Sequence, residues 1–464
     1  MSEINTKEKQ EKDQILKRDI YKHSRADGWV KPENPLLLER LEWFKDQKLG
    51  LMMHWAPYSQ IGVRPSWILS DKDGDEWSRQ DLDWDIDPQE LKRQYFDLNK
   101  TFNPIRFEPE KWADLAAENG FKYLTFTTKH HDGFCMWDTH TTDYRITGPD
   151  CPFHKHKYAD VCRQLFDAFR SRGLAIATYF SKADWNTPYY WAPGMERGTH
   201  MWRGPSYNTK EHPWLWEKFV QFTHEQIMEL MTRYGRIDIL WLDSGWVRAK
   251  NDQDIRLGEV VEKAREIQPW LLTADRAVGG PYENLLTPEQ TIPDRALSVP
   301  WESNLTMGTS WSYRFDENYK SIRFIIHMFI DIVAKGGNLA LNVGPQPDGR
   351  LPEPAISRIK AIGEWLKVYG EGIYGTRTYE ISSEGNCHFT KKGDTVYAFY
   401  LYKEEHEAVQ EEVLLPIKHA CSRIDLVGGQ ESLAYRNAEN GITVRLPEKE
   451  RSIQAPIAHV FRIR

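Results

Sequence analysis

Residues 214–243, WLWEKFVQFTHEQIMELMTRYGRIDILWLD, contain one complete structural unit of this chain. The first part predicts a long helix that ends at Gly235, because glycine commonly follows the last turn of a helix. Ile237, Ile239 and Leu242 belong to a short apolar run that is typical of a buried strand. The strand ends in a carboxylate, Asp243.

The same order of helix, glycine, apolar strand and polar loop recurs between about residues 36 and 372. YADVCRQLFDAFRSRG (158–173) precedes LAIATYFS (174–181), and NYKSIRFIIHMFIDIVAKGG (318–337) precedes NLALNVGP (338–345). Such alternation implies parallel strands. About seven or eight units predict an α/β fold of the (β/α)8-like TIM barrel type. An open dinucleotide-binding sheet is disfavoured because no Gly-x-Gly-x-x-Gly follows a strand.

The pattern changes near residue 376 to short β-rich runs such as DTVYAFYLY (394–402). We therefore expect three parts: a polar lead-in over 1–35, a catalytic barrel over 36–375, and a C-terminal β-sandwich over 376–464.

Composition limits the classes of partner. The formal net charge of −7 argues against nucleic acid, which binds basic surfaces. No apolar run reaches the ~18 residues of a membrane helix. The five cysteines form no Cys-x-x-Cys pair and suit free thiols in a reducing compartment. If position 1 is the natural start, the polar N-terminus predicts a cytoplasmic protein, whereas a removed export signal would imply a periplasmic or secreted one. The sequence makes no prediction of oligomeric state.

Residues of chemical interest cluster where the predicted strands end. In a TIM barrel the loops after the carboxyl ends of the strands form the active site. The strand ends and the loop toward the sixth strand carry His54, His130, His131, Tyr179, Asp243, Arg276 and Glu302. The 19 tryptophans add broad apolar faces that suit the C–H faces of sugars.

This set of residues favours glycoside hydrolysis, which needs one carboxylate nucleophile and one carboxylic acid. Asp243 suits the nucleophile because a strand end holds it rigidly. Glu302 suits the acid because we expect it in an irregular loop, where the apolar neighbours Pro300 and Trp301 raise its pKa.

Two other chemistries are less favoured. His130 and His131 hint at a metal, but neighbours on a strand point to opposite faces, and no His-x-His or His-Glu-x-x-His spacing occurs. No Gly-x-Ser-x-Gly elbow supports a serine hydrolase. We predict neither a metal nor a cofactor. A degenerate barrel that binds glycans without cleaving them stays open as an alternative.

Four ordered motifs resemble one known family. GLMMHWAPYS (50–59), KYLTFTTKHHDGFCMWDTHTTDY (122–144), ILWLDSGW (239–246) and GNLALNVGPQPDG (337–349) are similar to segments of glycoside hydrolase family 29, the retaining α-L-fucosidases. The resemblance implies a fucosylated oligosaccharide substrate and a covalent fucosyl intermediate on Asp243. Ser244 stands where the family more often has glycine.

The resemblance also implies roles for other residues. It assigns the acid/base to Glu302, since PWESNLTMGTSWSY (300–313) resembles the subgroup that acts on α-1,3 and α-1,4 fucosyl branches. Ser78 stands where the family usually has tyrosine. The expected substrate-binding residues are His54, Glu76, Trp77, His130, His131, Tyr179, Trp241, Arg276 and Trp311.

Overall fold

The structure is a computed structural model that describes residues 26–70, 86–195, 203–418, 421–429 and 431–464. Its first part is a parallel sheet of seven strands in the order β5-β4-β3-β2-β1-β7-β6. The strands are β1 (Leu49–Met53), β2 (Tyr123–Lys129), β3 (Ala175–Ser181), β4 (Ile239–Asp243), β5 (Leu272–Asp275), β6 (Glu302–Thr306) and β7 (Asn338–Val343). Nearly every residue in them is buried, as expected for parallel strands covered by helices.

Helices precede and connect these strands. They are α1 (Pro35–Gln47), α2 (Pro88–Phe96), α3 (Pro109–Glu118), α4 (Val161–Ser171), α5 (Pro213–Arg233), α6 (Leu257–Ile267), α7 (Ile322–Ala334) and α8 (Glu353–Tyr369). Gly173 after α4 and Gly235 after α5 have φ values of 77° and 71°, a left-handed conformation that glycine adopts without a Cβ clash. These turns send the chain from each helix into the next strand.

An irregular segment, residues 282–291, joins the two edge strands β5 and β6. On one side the N–H of Asn284 donates to the Thr273 carbonyl (2.9 Å). On the other side the N–H of Glu302 donates to the Leu286 carbonyl (2.9 Å). Pro288 lies in this segment, and proline cannot donate to a ladder. The predicted parallel α/β alternation is confirmed, with seven regular strands among the described residues and this segment where an eighth was expected.

The second part consists of antiparallel sheets, as predicted for the C-terminal region. One sheet has the order β12-β15-β10-β9-β8 and the other β11-β14-β13. The strands are β8 (Arg377–Glu384), β9 (Cys387–Lys392), β10 (Thr395–Leu401), β11 (Glu412–Leu415), β12 (Ile424–Leu426), β13 (Tyr435–Ala438), β14 (Gly441–Arg445) and β15 (Ala458–Ile463), with a short helix α9 (Glu448–Arg451). Phe389, Phe461, Val413 and Val444 belong to one apolar cluster drawn from both sheets.

Arg323 and His327 of α7 tie the C-terminal sheets to the parallel sheet. Arg323 Nη1 donates to the carbonyls of Tyr402 and Pro456 (both 2.7 Å), and His327 Nε2 lies 2.9 Å from the Ile457 carbonyl. The C-terminal part therefore packs on the helical layer.

One local prediction is wrong. Glu302 was expected in an irregular loop, but it is the first residue of β6, where it pairs with Asn338. Its backbone is held on both sides, by β7 and by residues 282–291.

Two further observations concern the chain as a whole. Residues 1–25, most of the predicted lead-in, lie outside the described residues. Among the helices that the structure describes, none has the length and apolar character needed to cross a membrane.

Candidate active site

The carboxyl ends of the parallel strands surround one cavity of about 820 Å³. Each of the strands β1 to β5, or the residue directly after it, contributes at least one side chain that the sequence singled out. The predicted site residues that line the cavity are His54, His130, His131, Tyr179, Trp241, Asp243, Arg276 and Trp311. Glu76 and Trp77, also predicted, lie outside the described residues.

Asp243 ends β4 inside a ring of donors. The Tyr179 hydroxyl donates to Oδ2 (2.5 Å), and the Ser244 N–H donates to Oδ1 (2.7 Å). Arg276 Nη1 lies 3.3 Å from Oδ1, and His131 Nε2 lies 4.0 Å from Oδ2. Burial alone would raise the pKa of Asp243, but Arg276, His131 and these donors outweigh it and hold the pKa well below its usual range. The carboxylate is therefore ionised at neutral pH.

Ser244 makes this geometry possible at a conformational cost. Its φ is 69°, a region that glycine enters freely and other residues rarely adopt. The turn places its own N–H on Asp243, and its hydroxyl contacts Ser181 Oγ (2.9 Å) and His131 Nδ1 (3.1 Å). These side-chain contacts account for a serine where glycine would be less strained.

Each of the three histidines anchors its Nδ1 in the barrel. The Nδ1 partners are Asn342 Oδ1 for His54 (2.7 Å), Ser66 Oγ for His130 (2.6 Å) and Ser181 Oγ for His131 (2.7 Å). Burial lowers the pKa of His54 and of His131 to about 4 and that of His130 well below its ordinary value. All three rings are neutral at neutral pH, so each free ring nitrogen suits a hydrogen bond with a sugar hydroxyl.

The tautomer of His54 follows from a neighbouring amide. Asn342 Nδ2 donates to the Trp311 carbonyl (2.7 Å), so Oδ1 of Asn342 is the atom that faces His54. Nδ1 of His54 therefore carries the proton, and Nε2 is an acceptor.

The two adjacent histidines do not point to opposite faces, as we argued they would on a strand. β2 ends at Lys129, and His130 and His131 lie beyond it with ring centroids 4.1 Å apart. Ligand atoms of His130, His131 and Asp243 all lie within 4.8 Å of one another, and these are donor types that zinc accepts. Arg276 already supplies positive charge to Asp243, so the absence of a metal stays our expectation.

A second carboxylate, which sequence reasoning missed, enters the cavity from the irregular segment. Glu289 lines the cavity with 34% of its side chain exposed and forms an ion pair with Arg276 Nη2. One guanidinium therefore contacts both Asp243 and Glu289. The sequence did contain a signal for Glu289. The apolar pair Leu285–Leu286 is followed by Thr-Pro-Glu, so a carboxylate comes soon after apolar residues here, as it does at Asp243.

Glu302 lies below the cavity and is not among the described residues that line it. It is 1% exposed. Its Oε1 accepts from Trp241 Nε1 (2.8 Å), and its Oε2 accepts from the Tyr123 hydroxyl (2.7 Å). Trp241 lines the cavity and stacks on Tyr179, with ring centroids 5.1 Å apart. Glu302 thus supports the aromatic pair that flanks Asp243.

Burial raises the pKa of Glu302 to about 7, although the hydrogen bonds from Tyr123 and Trp241 lower it in part. The folded protein therefore holds this proton to a higher pH than the unfolded chain, where the pKa is about 4.3. Stability conferred through this group should fall as the pH rises from about 4.5 to 7.

We expect Glu302→Gln to remove that part of the pH dependence. The free energy of unfolding of the wild type, relative to the variant, should fall by about 2–3 kcal/mol between pH 4.5 and 7. Urea unfolding at several pH values measures it, with the exposed Glu364→Gln as control. An unchanged difference across this range would show that the pKa of Glu302 is not raised in the folded protein.

Three tryptophans that the sequence did not assign surround His131, and two of them, Trp67 and Trp246, line the cavity. Trp67, Trp185 and Trp246 lie with ring centroids 5.1, 5.2 and 5.1 Å from that of His131. The guanidinium of Arg203 lies 5.0 Å from the Trp67 ring and 5.2 Å from the Trp246 ring. The contacts of His131 come from residues far apart in sequence, which explains why no local pattern indicated them.

The chain is similar to known proteins over most of its length. A family model described as alpha-L-fucosidase matches residues 26–371. Tissue alpha-L-fucosidase of Bos taurus is 28% identical over 442 residues, covering 88% of this chain and 84% of that protein. Tissue alpha-L-fucosidase of Homo sapiens is 27% identical over 439 residues, covering 88% and 85%.

Solved structures show the same similarity. Alpha-L-fucosidase isoenzyme 1 from Paenibacillus thiaminolyticus superposes with a TM-score of 0.74 and 26% identity, covering 92% of this chain and 99% of that one. The Thermotoga maritima alpha-fucosidase in complex with fucose also gives 0.74 at 26% identity, covering 94% and 100%.

Proposed function

Because the chain belongs to the alpha-L-fucosidase family and is a glycoside hydrolase, we propose that it removes terminal α-L-fucosyl residues from glycans by a retaining double displacement. The observation that carries this proposal is the buried Asp243 carboxylate, which is kept ionised at a strand end by Arg276 and oriented by Tyr179 and Ser244. A second carboxylate in the same cavity favours hydrolysis over the alternative of glycan binding alone.

Asp243 is the nucleophile in this proposal. One oxygen of its carboxylate attacks C1 of the bound fucose while the bond from C1 to the leaving oxygen breaks. The Tyr179 hydroxyl and the Ser244 N–H fix the carboxylate, so little reorganisation is needed at the moment of attack.

The sequence favoured Glu302 as the acid/base, but we assign this role to Glu289. Glu302 has the raised pKa that suits an acid, but both of its oxygens are occupied below the Trp241 ring. Geometry takes precedence over pKa, because an acid must reach the leaving oxygen. Glu289 is partly exposed in the cavity and shares Arg276 with the nucleophile, so one sugar ring can contact both carboxylates.

Glu289 then acts twice. It first gives its proton to the departing sugar oxygen, and it later takes a proton from the water that attacks C1 of the fucosyl intermediate.

The fucose ring would be held by hydrogen bonds with the three neutral histidines and by aromatic contact with Trp241 and Trp311. The proposed substrates are α-1,3- and α-1,4-linked fucosyl branches. Support for this linkage comes from the resemblance of residues 300–313 to the subgroup that acts on such branches.

NMR on defined fucosyl oligosaccharides tests linkage and stereochemistry together. We expect release from α-1,3 and α-1,4 linkages at least about tenfold faster than from α-1,2 or α-1,6, with α-L-fucose as the first anomer seen. Early appearance of β-L-fucose would mean inversion and would exclude the covalent intermediate. Faster release from α-1,2 or α-1,6 linkages would overturn the linkage proposal alone.

A further inference from the structure

One wall of the cavity contains two buried polar atoms that the described residues leave without a hydrogen-bond partner. Asn304 of β6 is 2% exposed, and its Oδ1 has no partner there. Ser310, in the loop after β6, is 8% exposed, and its Oγ likewise has none. Both residues line the cavity. Buried polar atoms are nearly always hydrogen-bonded in folded proteins, so these two atoms point to a ligand that supplies the missing bonds.

The wall lies next to Glu289. The Asn304 N–H donates to the Pro288 carbonyl (2.9 Å), and the Gln290 N–H donates to the Asn304 carbonyl (3.0 Å). Asn304 is thus bonded to the residues on both sides of Glu289. Since an acid/base contacts the leaving oxygen, groups beside Glu289 face the departing sugar rather than the far side of the fucose ring.

The cavity has room for that sugar. Its volume of about 820 Å³ lies in the range of about 300–1,000 Å³ that encloses drug-sized ligands, and it exceeds the volume of one hexose unit. The chemistry of the wall also selects the ligand. The Asn304 Oδ1 atom accepts a hydrogen bond, and the Ser310 hydroxyl both donates and accepts. A neutral, hydroxyl-bearing ring meets both requirements.

We propose that Asn304 and Ser310 bind hydroxyl or amide groups of the sugar to which fucose is attached, and so set the preference for the leaving sugar. This inference rests on the proposed function, because it takes Glu289 as the acid/base. Loss of Asn304 should weaken turnover only when a second ring is present.

The test compares Fuc-α-1,3-GlcNAc with methyl α-L-fucoside, which carries no second ring. We expect Asn304→Ala to lower kcat/KM on the disaccharide by about 3- to 10-fold, the effect of one hydrogen bond, with little change on the methyl fucoside. Ser310→Ala should act in the same direction. Ser303→Ala is the matched control on the same strand, since its hydroxyl bonds to the Thr291 carbonyl.

If Asn304→Ala lowered kcat/KM equally on both substrates at an unchanged melting temperature, Asn304 would lie at the fucose ring and the proposal would be overturned. No loss on either substrate would also overturn it. Calorimetry measures binding of both substrates, so it tests the site independently of catalysis. If the wild type cleaved neither substrate, the proposed function would fail. Tighter binding of the disaccharide than of methyl fucoside, reduced in Asn304→Ala, would still support this site, and identical binding would refute it.

Discussion

Asp243→Ala lowers kcat on an aryl α-L-fucoside by roughly 10³- to 10⁶-fold, the range seen when a catalytic nucleophile is removed. No other described carboxylate contacts Arg276 Nη1, Tyr179 and Ser244 together, so nothing at that position replaces it. Azide added to the variant should occupy the vacated space, attack C1 and yield β-L-fucosyl azide. The measurements are steady-state rates and the NMR spectrum of the azide product.

Asp275→Asn provides a matched control at the next strand end. Asp275 contacts Lys182 Nζ (2.5 Å) and is not among the described residues that line the cavity. This variant should lose stability but keep turnover. Undiminished turnover in Asp243→Ala, or α-L-fucosyl azide as its product, would remove Asp243 from the nucleophile role.

Glu289→Ala is the second large effect, and its signature is dependence on the leaving group. On a natural disaccharide kcat/KM should fall by about 10²- to 10⁴-fold, because the leaving oxygen departs without a proton. On an aryl fucoside with an acidic phenol the loss should be much smaller, since that oxygen needs no proton. Azide should restore the second step and give α-L-fucosyl azide, because it attacks from the side of the departed group.

Glu302→Ala is the comparison that separates the two glutamates. It removes the acceptor of Trp241 and Tyr123, so all substrates should lose rate alike, and azide should restore nothing. Leaving-group dependence and azide rescue in Glu302→Ala, with neither in Glu289→Ala, would return the acid/base to Glu302.

The two buried carboxyl groups near Trp241 have opposite pKa shifts. Burial by itself raises the pKa of both groups. Arg276 lies beside Asp243 and lowers the pKa of Asp243, whereas no cationic side chain is among the causes that shift the pKa of Glu302. A raised pKa alone therefore does not identify an acid/base. Access to the cavity distinguishes Glu289 from Glu302.

The position of Asp243 was predictable because every determinant is local. The apolar run from Ile239 to Leu242 forms a buried strand, and a carboxylate directly after it must lie at the carboxyl edge of the sheet. The same reasoning led to His54, His130, Tyr179 and Arg276. Hydrophobic period depends on neighbouring residues, so the sequence by itself determined the α/β alternation and eight of the residues that line the cavity.

The proposed acid/base role of Glu289 depends on tertiary contacts that the short local pattern before it does not contain. Residues 282–291 are irregular, and their position depends on pairing with β5 and β6. Glu302 meets Tyr123 and Trp241 from 179 and 61 residues away. Only the tertiary structure decided that Glu289 enters the cavity while Glu302 lies beneath it, because an irregular segment has no period and burial is set by distant partners.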